Sequence, residues 1–274
     1  RLMSGGSLAK GLSGAFYALD LGLIHDIVVE RRATEKGHVR AMRGSGSGAT
    51  ALVVRELQRT LRSPAAVPVV LATVVVPYAA DALGLATVAP FLGGLAVFVT
   101  LVPLTGGLRV LTRNGGLART LPLSTGQIRR ATVAVPSAVA LVWAIASVAA
   151  FVGFGDGATS RSVPDAALVS MVTAAAGLMG AVRWTTAKPI NWSAPMASTP
   201  AGAFPPGMIT APIRGIDMVL LITAPVLLGV PTIWSVVILG IVALVLLGGF
   251  SAEEAKVQQA QQKRELERRR AARR

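Results

Sequence analysis

The chain has 274 residues, 53% of them hydrophobic and only 15% charged, with 27 Lys and Arg against 13 Asp and Glu for a formal net charge of +14. So few charges exclude an ordinary soluble domain, where about a quarter of residues carry one. Apolar stretches of roughly 17 residues or more without a charge have the length of helices that cross a bilayer. The alternation in polarity expected of membrane β-strands is absent.

The basic excess could point to nucleic acid, but the Lys and Arg residues cluster beside the ends of apolar runs. There they obey the positive-inside rule and face anionic lipid, so no nucleic-acid partner is expected. Cysteine is absent, which removes disulfides, thiolate metal sites and cysteine nucleophiles. The first residue is Arg and no signal peptide is legible, as expected for part of a longer chain.

Residues 1–48 form a cytoplasmic or interfacial amphipathic segment. Leu12, Phe16, Leu19, Leu23 and Ile27 share a helical face, but Asp20, Asp26 and Glu30 make it a poor span. Gly44 to Gly48 is a flexible break. Ala49 to Leu61 reads as an amphipathic elbow helix, with Arg55, Arg59 and Arg62 on or near one face and Leu52, Val53, Leu57 and Leu61 available for the other. Ser63-Pro64 then starts a helix.

The first span is expected over Pro64 to Ala80, with Asp81 at its outer end. The second runs from Ala82 or Thr87 to Leu108, with Pro90 and Pro103 as kink points. The third is Ala131 to Phe154, around Pro136. An outer turn carrying Asp156 and Arg161 leads to the fourth, Pro164 to Val182, whose Ser170, Ala174, Ala175, Ala176, Gly177 and Gly180 suit close helix packing. Arg183 to Arg214 is a proline-rich inner loop, extended and irregular, with Trp184, Ile190, Trp192 and Phe204 as interfacial anchors. Ile216 to Val230, short enough to be re-entrant in part, and Pro231 to Phe250 form a tight hairpin. Residues 251–274 make a basic helical tail. The expected fold is an all-α polytopic membrane protein: a six-helix transmembrane domain over 49–250, a plasma-membrane location and both ends cytoplasmic. Arg161 is then the only Lys or Arg left outside.

Between the second and third spans lies RVLTRNGGLARTLPLSTGQIRR, residues 109–130. It holds Arg109, Arg113, Arg119, Arg129 and Arg130 and no acidic residue, which places it on the cytoplasmic side. Gly115-Gly116 reads as the break after the span, followed by a short helix over about Leu117 to Leu121 with those two leucines one turn apart. Pro122 stops that helix. Ser124 and Gln127 have the spacing of a capping box that starts the next one.

Most catalytic chemistry is excluded by what is missing. Both histidines, His25 and His38, precede the first span, and no His-Glu-x-x-His zinc motif occurs. Glu253-Glu254 reads as a solvated helix start. Asp81, Asp165 and Asp217 sit near span ends, not in the membrane interior. Asp217, close to Arg214, reads first as an interfacial ion pair and second as a substrate or gating residue. No phosphate-binding loop is present, so nucleotide-driven work would need another subunit. The Gly93-Gly94 and Gly106-Gly107 pairs read as packing positions before hinges.

The elbow ALVVRELQRTLRSP (51–64) and the loop ARTLPLSTGQIRRA (118–131) resemble the permease half of type-2 ABC exporters. The proline-rich WSAPMASTPAGAFPPG (192–207) makes the whole chain similar to an uncharacterised actinobacterial group of longer exporter-like membrane proteins. The resemblance implies a coupling helix docking on an ABC ATPase subunit through Leu117, Arg119, Leu121, Pro122 and Ser124. It also implies a second permease unit and export of an amphiphilic or hydrophobic substrate. This chain would be no enzyme and bind no cofactor, ATP and Mg belonging to the partner. The tight junction of the last two spans departs from the outer re-entrant helices of that class. A non-transporting scaffold or assembly subunit is the alternative.

Overall fold

The computed structural model describes residues 44–62, 65–153, 161–187, 197–199, 202–204 and 213–248, together with 31, 34, 35 and 37. Most of the amphipathic segment, the basic tail with Glu253 and Glu254, both histidines and most of the proline-rich loop lie outside the described residues. What is described is helical except for a small antiparallel ribbon, β1 (Ala197–Thr199) with β2 (Gly202–Phe204). That ribbon qualifies the all-α expectation.

Helix α1 (Gly48–Arg62) occupies the elbow position. The expected first span is two short helices, α2 (Ala66–Ala72) and α3 (Val75–Ala82). Pro77 explains the interruption: it brings no N–H to the carbonyl of Thr73, one turn earlier, and its ring crowds that carbonyl. The chain tightens there into three-residue turns, Thr73 N donating to Val70 O, Val74 N to Leu71 O, and Val76 N to Thr73 O at 2.9 Å. Next come α4 (Ala89–Leu101), a 3-10 turn (Val102–Thr105) carrying Pro103, and α5 (Gly106–Arg113), which together make one 25-residue apolar element. Then follow α6 (Gly115–Thr120), α7 (Thr125–Val152, continuous through Pro136) and α8 (Val163–Thr186). The hairpin is α9 (Ile216–Leu227) and α10 (Ile233–Leu247).

Among the described residues three elements are long and apolar enough to cross a membrane: Ala89–Arg113, Thr125–Val152 and Val163–Thr186. A fourth is reached only if α1 and the α2–α3 segment, bent by 81° to each other, count as one broken span. Three or four of the six expected spans therefore have the length and composition to cross. The hairpin helices have 12 and 15 residues, about 18 and 22 Å at 1.5 Å per residue, against a hydrocarbon core of roughly 30 Å. The turn at Leu228 to Pro231 takes up residues that hydropathy counts as membrane helix.

Helix α8 is the hub, packed against α4, α7, α9 and α10. Its small residues make this geometry available. A Cβ at Gly177 would press on Val97 and the Gly94 carbonyl, and one at Gly180 on Phe98, Val219 and the Gly215 carbonyl. Across lipid such close approach supplies the dispersion contacts that hold helices together, because apolar burial alone gains little there. Buried hydroxyls add interhelical bonds, Ser147 to Ser170 at 2.8 Å and Thr105 to Thr185 at 2.7 Å.

Candidate partner-docking site at the basic end

The loop between α5 and α7 lies at the end of the bundle that carries most of the arginines. Each of its two stems is tied to the rest of the molecule. On the entering side, the side chains of Glu56 and Arg59 from α1 lie over Gly106 and Gly107, where any Cβ would overlap them. Arg59 donates to the Leu104 carbonyl at 2.6 Å and pairs with Glu56 at 3.0 Å. Glu56 is buried, and that desolvation raises its carboxyl above the usual range, partly offset by Arg59 and Arg55. Arg109, also buried, stacks its guanidinium 5.0 Å from the ring centre of Trp184, a cation–π contact joining α5 to α8.

On the leaving side, Ser124 and Gln127 form the expected capping box: Gln127 N donates to Ser124 Oγ at 3.2 Å and Ser124 N to Gln127 Oε1 at 2.9 Å. This satisfies two of the backbone donors that a helix start leaves without partners. Gly126 allows the carbonyls of Leu247 and Gly248 to approach closely. Arg129 donates to the Leu246 carbonyl at 2.8 Å, satisfying an end carbonyl of α10 and placing a cation at its negative pole.

Between these stems, α6 is a six-residue helix whose main contact is α5. The structure differs from the expected parse at two points. The break is at Asn114 (φ −103°, ψ 75°), and Gly115 and Gly116 form the first turn of α6 instead of ending the span. Leu121 is not in the helix. It is extended (ψ 132°), because Pro122 pushes the residue before it out of helical conformation. Leu117 and Leu121 therefore do not form a helical stripe. Leu117 is 48% exposed while Leu121 is half-buried; Arg119, Pro122 and Ser124 are exposed. The five candidate residues thus share one protruding loop, with Leu117 and Arg119 exposed on different faces of its helix and Leu121 half-buried beyond its end.

The second candidate pair is resolved differently. Asp217 accepts from Arg183 Nε at 3.0 Å, from Gly215 N at 2.7 Å and from Met218 N at 2.9 Å. The ion pair shown for it is therefore with Arg183, at the end of α8, and not with its sequence neighbour Arg214. Its carboxylate ties the start of α9 to the hub helix. Gly215 has φ +93°, and a Cβ there would strike Phe98, so the turn requires glycine. Arg214 occupies that turn, half-buried. Among the described residues, no group of three or more His, Cys, Asp or Glu side chains is gathered where a metal could be held.

The Glu56–Arg59 seat on Gly106-Gly107 was not legible beforehand. A glycine pair signals close approach, but not which side chain, some fifty residues away, makes it.

A family model described as "Family of unknown function (DUF6297)" matches residues 1–195, more than half the chain, and the protein belongs to that family. No curated protein and no solved structure matches the chain.

Proposed function

We propose that this family member is the permease subunit of an ATP-driven exporter, in which α6 docks on a separate ATPase and passes its movement into the α4–α5 element and α7. The observation that carries the reading is a protruding short helix held on two stems that each lead directly into a long apolar helix. A push on α6 has no slack to absorb it: the capping box and the Glu56–Arg59 seat fix both stems. Rigid-body movement of a partner then becomes tilt of the membrane helices.

In this reading the basic end is cytoplasmic, in keeping with the positive-inside rule, and α1 lies along the inner leaflet among anionic lipids. The α2–α3 segment and the α9–α10 hairpin complete a six-segment unit, the short helices crossing with the help of their flanking turns and local bilayer thinning. Two such units would enclose the path of an amphiphilic or hydrophobic substrate. ATP and Mg stay with the partner.

One observation favours the scaffold reading. Trp234, Val237, Ile241 and Leu244 are all exposed on α10, a face that a partner helix in the membrane would cover.

Co-purification separates the two. Leu117→Asp and Arg119→Glu are expected to lower recovery of an ATPase subunit with the tagged chain at least several-fold, with membrane insertion unchanged. Unchanged recovery, or recovery of membrane partners with no ATPase, would defeat the exporter reading.

A further inference from the structure

The core of the bundle is divided in two. One buried cluster, nearer the basic end, includes Val70, Val97, Leu101, Ala144, Val172 and Ile222. A smaller one at the far end consists of Ala80, Ala89, Phe151, Ala166, Val169 and Val226. On three segments the boundary between them falls at a hydroxyl, and on the first segment it lies just beyond Thr73, after Val74. Thr73 stands between Val70 and Ala80, and Ser147 between Ala144 and Phe151. Ser170 separates Val169 from Val172, and Thr223 separates Ile222 from Val226. Ser147, Ser170 and Thr223 are fully buried.

At this same level the first membrane segment is interrupted. Pro77 deprives the Thr73 carbonyl of its helical donor, and the chain there is held by three-residue turns. A short stretch of such turns within a helical run often marks a hinge. Two hydrogen bonds tie this segment to α7: Tyr78 Oη on α3 donates to the Ala146 carbonyl at 3.1 Å, and at the joint itself Trp143 Nε1 donates to Thr73 Oγ1 at 3.0 Å, while Thr73 Oγ1 donates in turn to the Val70 carbonyl at 2.6 Å. The hydroxyl thus stabilises the carbonyl end of α2 and receives the indole. Trp143 is itself fully buried, its ring lying where a Cβ at Gly93 would touch it.

We infer that the hydroxyl level is a plane of internal movement, with Thr73 as its hinge and the Trp143–Thr73 hydrogen bond as the pin. At this plane α3 shifts against the far ends of α4, α7, α8 and α9, whose helices run unbroken through the level. Polar contacts at the plane can exchange partners among neighbouring hydroxyls and carbonyls. The apolar contacts on either side remain within their own layer. The far-end cluster is the smaller of the two, so less apolar packing resists the movement of α3.

The test uses the intact chain in phosphatidylcholine–phosphatidylglycerol nanodiscs, without partner or substrate, so its outcome is independent of the exporter reading. Amide hydrogen exchange is compared among wild type, Trp143→Phe, which keeps the ring and loses the N–H, and Thr73→Val, which keeps the shape and loses both bonds. The pin is expected to be worth about a fivefold change, as for one neutral hydrogen bond. Exchange over 75–82, 148–152 and 163–169 should quicken by about that factor, while 97–104 and 174–182 stay as in wild type. Equal acceleration in both layers would mean the bond serves overall stability alone and would overturn the inference. No acceleration with Thr73→Val would overturn it as well.

Discussion

Gly107→Ala tests the seat between the elbow helix and the loop stem. The added Cβ falls on the Glu56 carboxylate, so the buried side chain must leave its place. Overpacking of this kind costs about 1–3 kcal/mol. Displacement also disturbs the Glu56–Arg59 pair and the Arg59 bond to the Leu104 carbonyl. A hydrogen bond to a charged group is worth about 1.5–3 kcal/mol, but the Arg59 side chain is 39% exposed, so water screens and replaces part of that. The expected loss is about 2–3 kcal/mol. At roughly 2–4 °C per kcal/mol for a chain of this size, the thermal midpoint in detergent should fall by roughly 4–12 °C, read from the monodisperse fraction surviving heating. Adding Glu56→Ala to the same chain vacates the space the Cβ needs, so the double variant should regain at least half of the loss. If the double variant is as unstable as the two single losses added together, Gly107 and Glu56 act independently and the seat is not what holds α1 in place.

Other substitutions probe the same end of the molecule. Glu56 is held with its carboxyl raised by desolvation, so between the ordinary glutamate range and its raised value the folded chain binds more protons than the unfolded one. Stability from this group is therefore greatest at low pH and falls as pH rises through that window. Glu56→Gln should flatten that part of a plot of thermal midpoint against pH, and an unchanged slope would assign it to other groups. Ser124→Ala removes one arm of the capping box and should cost about 1 kcal/mol. Exchange should quicken at 125–128 and remain as in wild type in mid-α7, and protection unchanged at 125–128 would refute the role of the cap.

The parts of the fold written in the sequence are those set by local rules. Ser124 and Gln127 three residues apart specify a helix start by themselves, and the small residues of α8 announce close packing wherever the neighbours lie. The elbow helix is legible because its leucines and arginines repeat at helical spacing. What was misread depends on longer reach or on competing local effects. The interruption at Thr73 is caused by a proline four residues later, inside an apolar run whose hydropathy gives no sign of it. Leu121 has the spacing of a helical partner to Leu117, but Pro122 overrides that spacing. Asp217 sits three residues from Arg214 and yet pairs with Arg183, because the hub helix ends beside the start of α9. Hydropathy counts the hairpin residues as two spans, whereas glycine and proline in the turn leave helices of 12 and 15 residues.

The hub helix bears on how the chain enters the membrane. Of the three long apolar elements, α8 is the least apolar and the most enclosed, with 72% of its 18-residue apolar stretch buried. A segment rich in Ala, Gly, Ser and Thr gains less from contact with lipid tails than the Leu- and Val-rich elements around it. Its favourable environment is other helices, and two of those, α4 and α7, are synthesised before it. The last two packing partners, α9 and α10, come after it. Until they arrive, one flank of α8 remains uncovered, and the Ser170 hydroxyl already has its partners on α7, the Ala144 carbonyl and the Ser147 hydroxyl. A chain truncated after residue 187 should therefore keep the packing of α8 on α4 and α7 while exposing the flank that α9 and α10 cover.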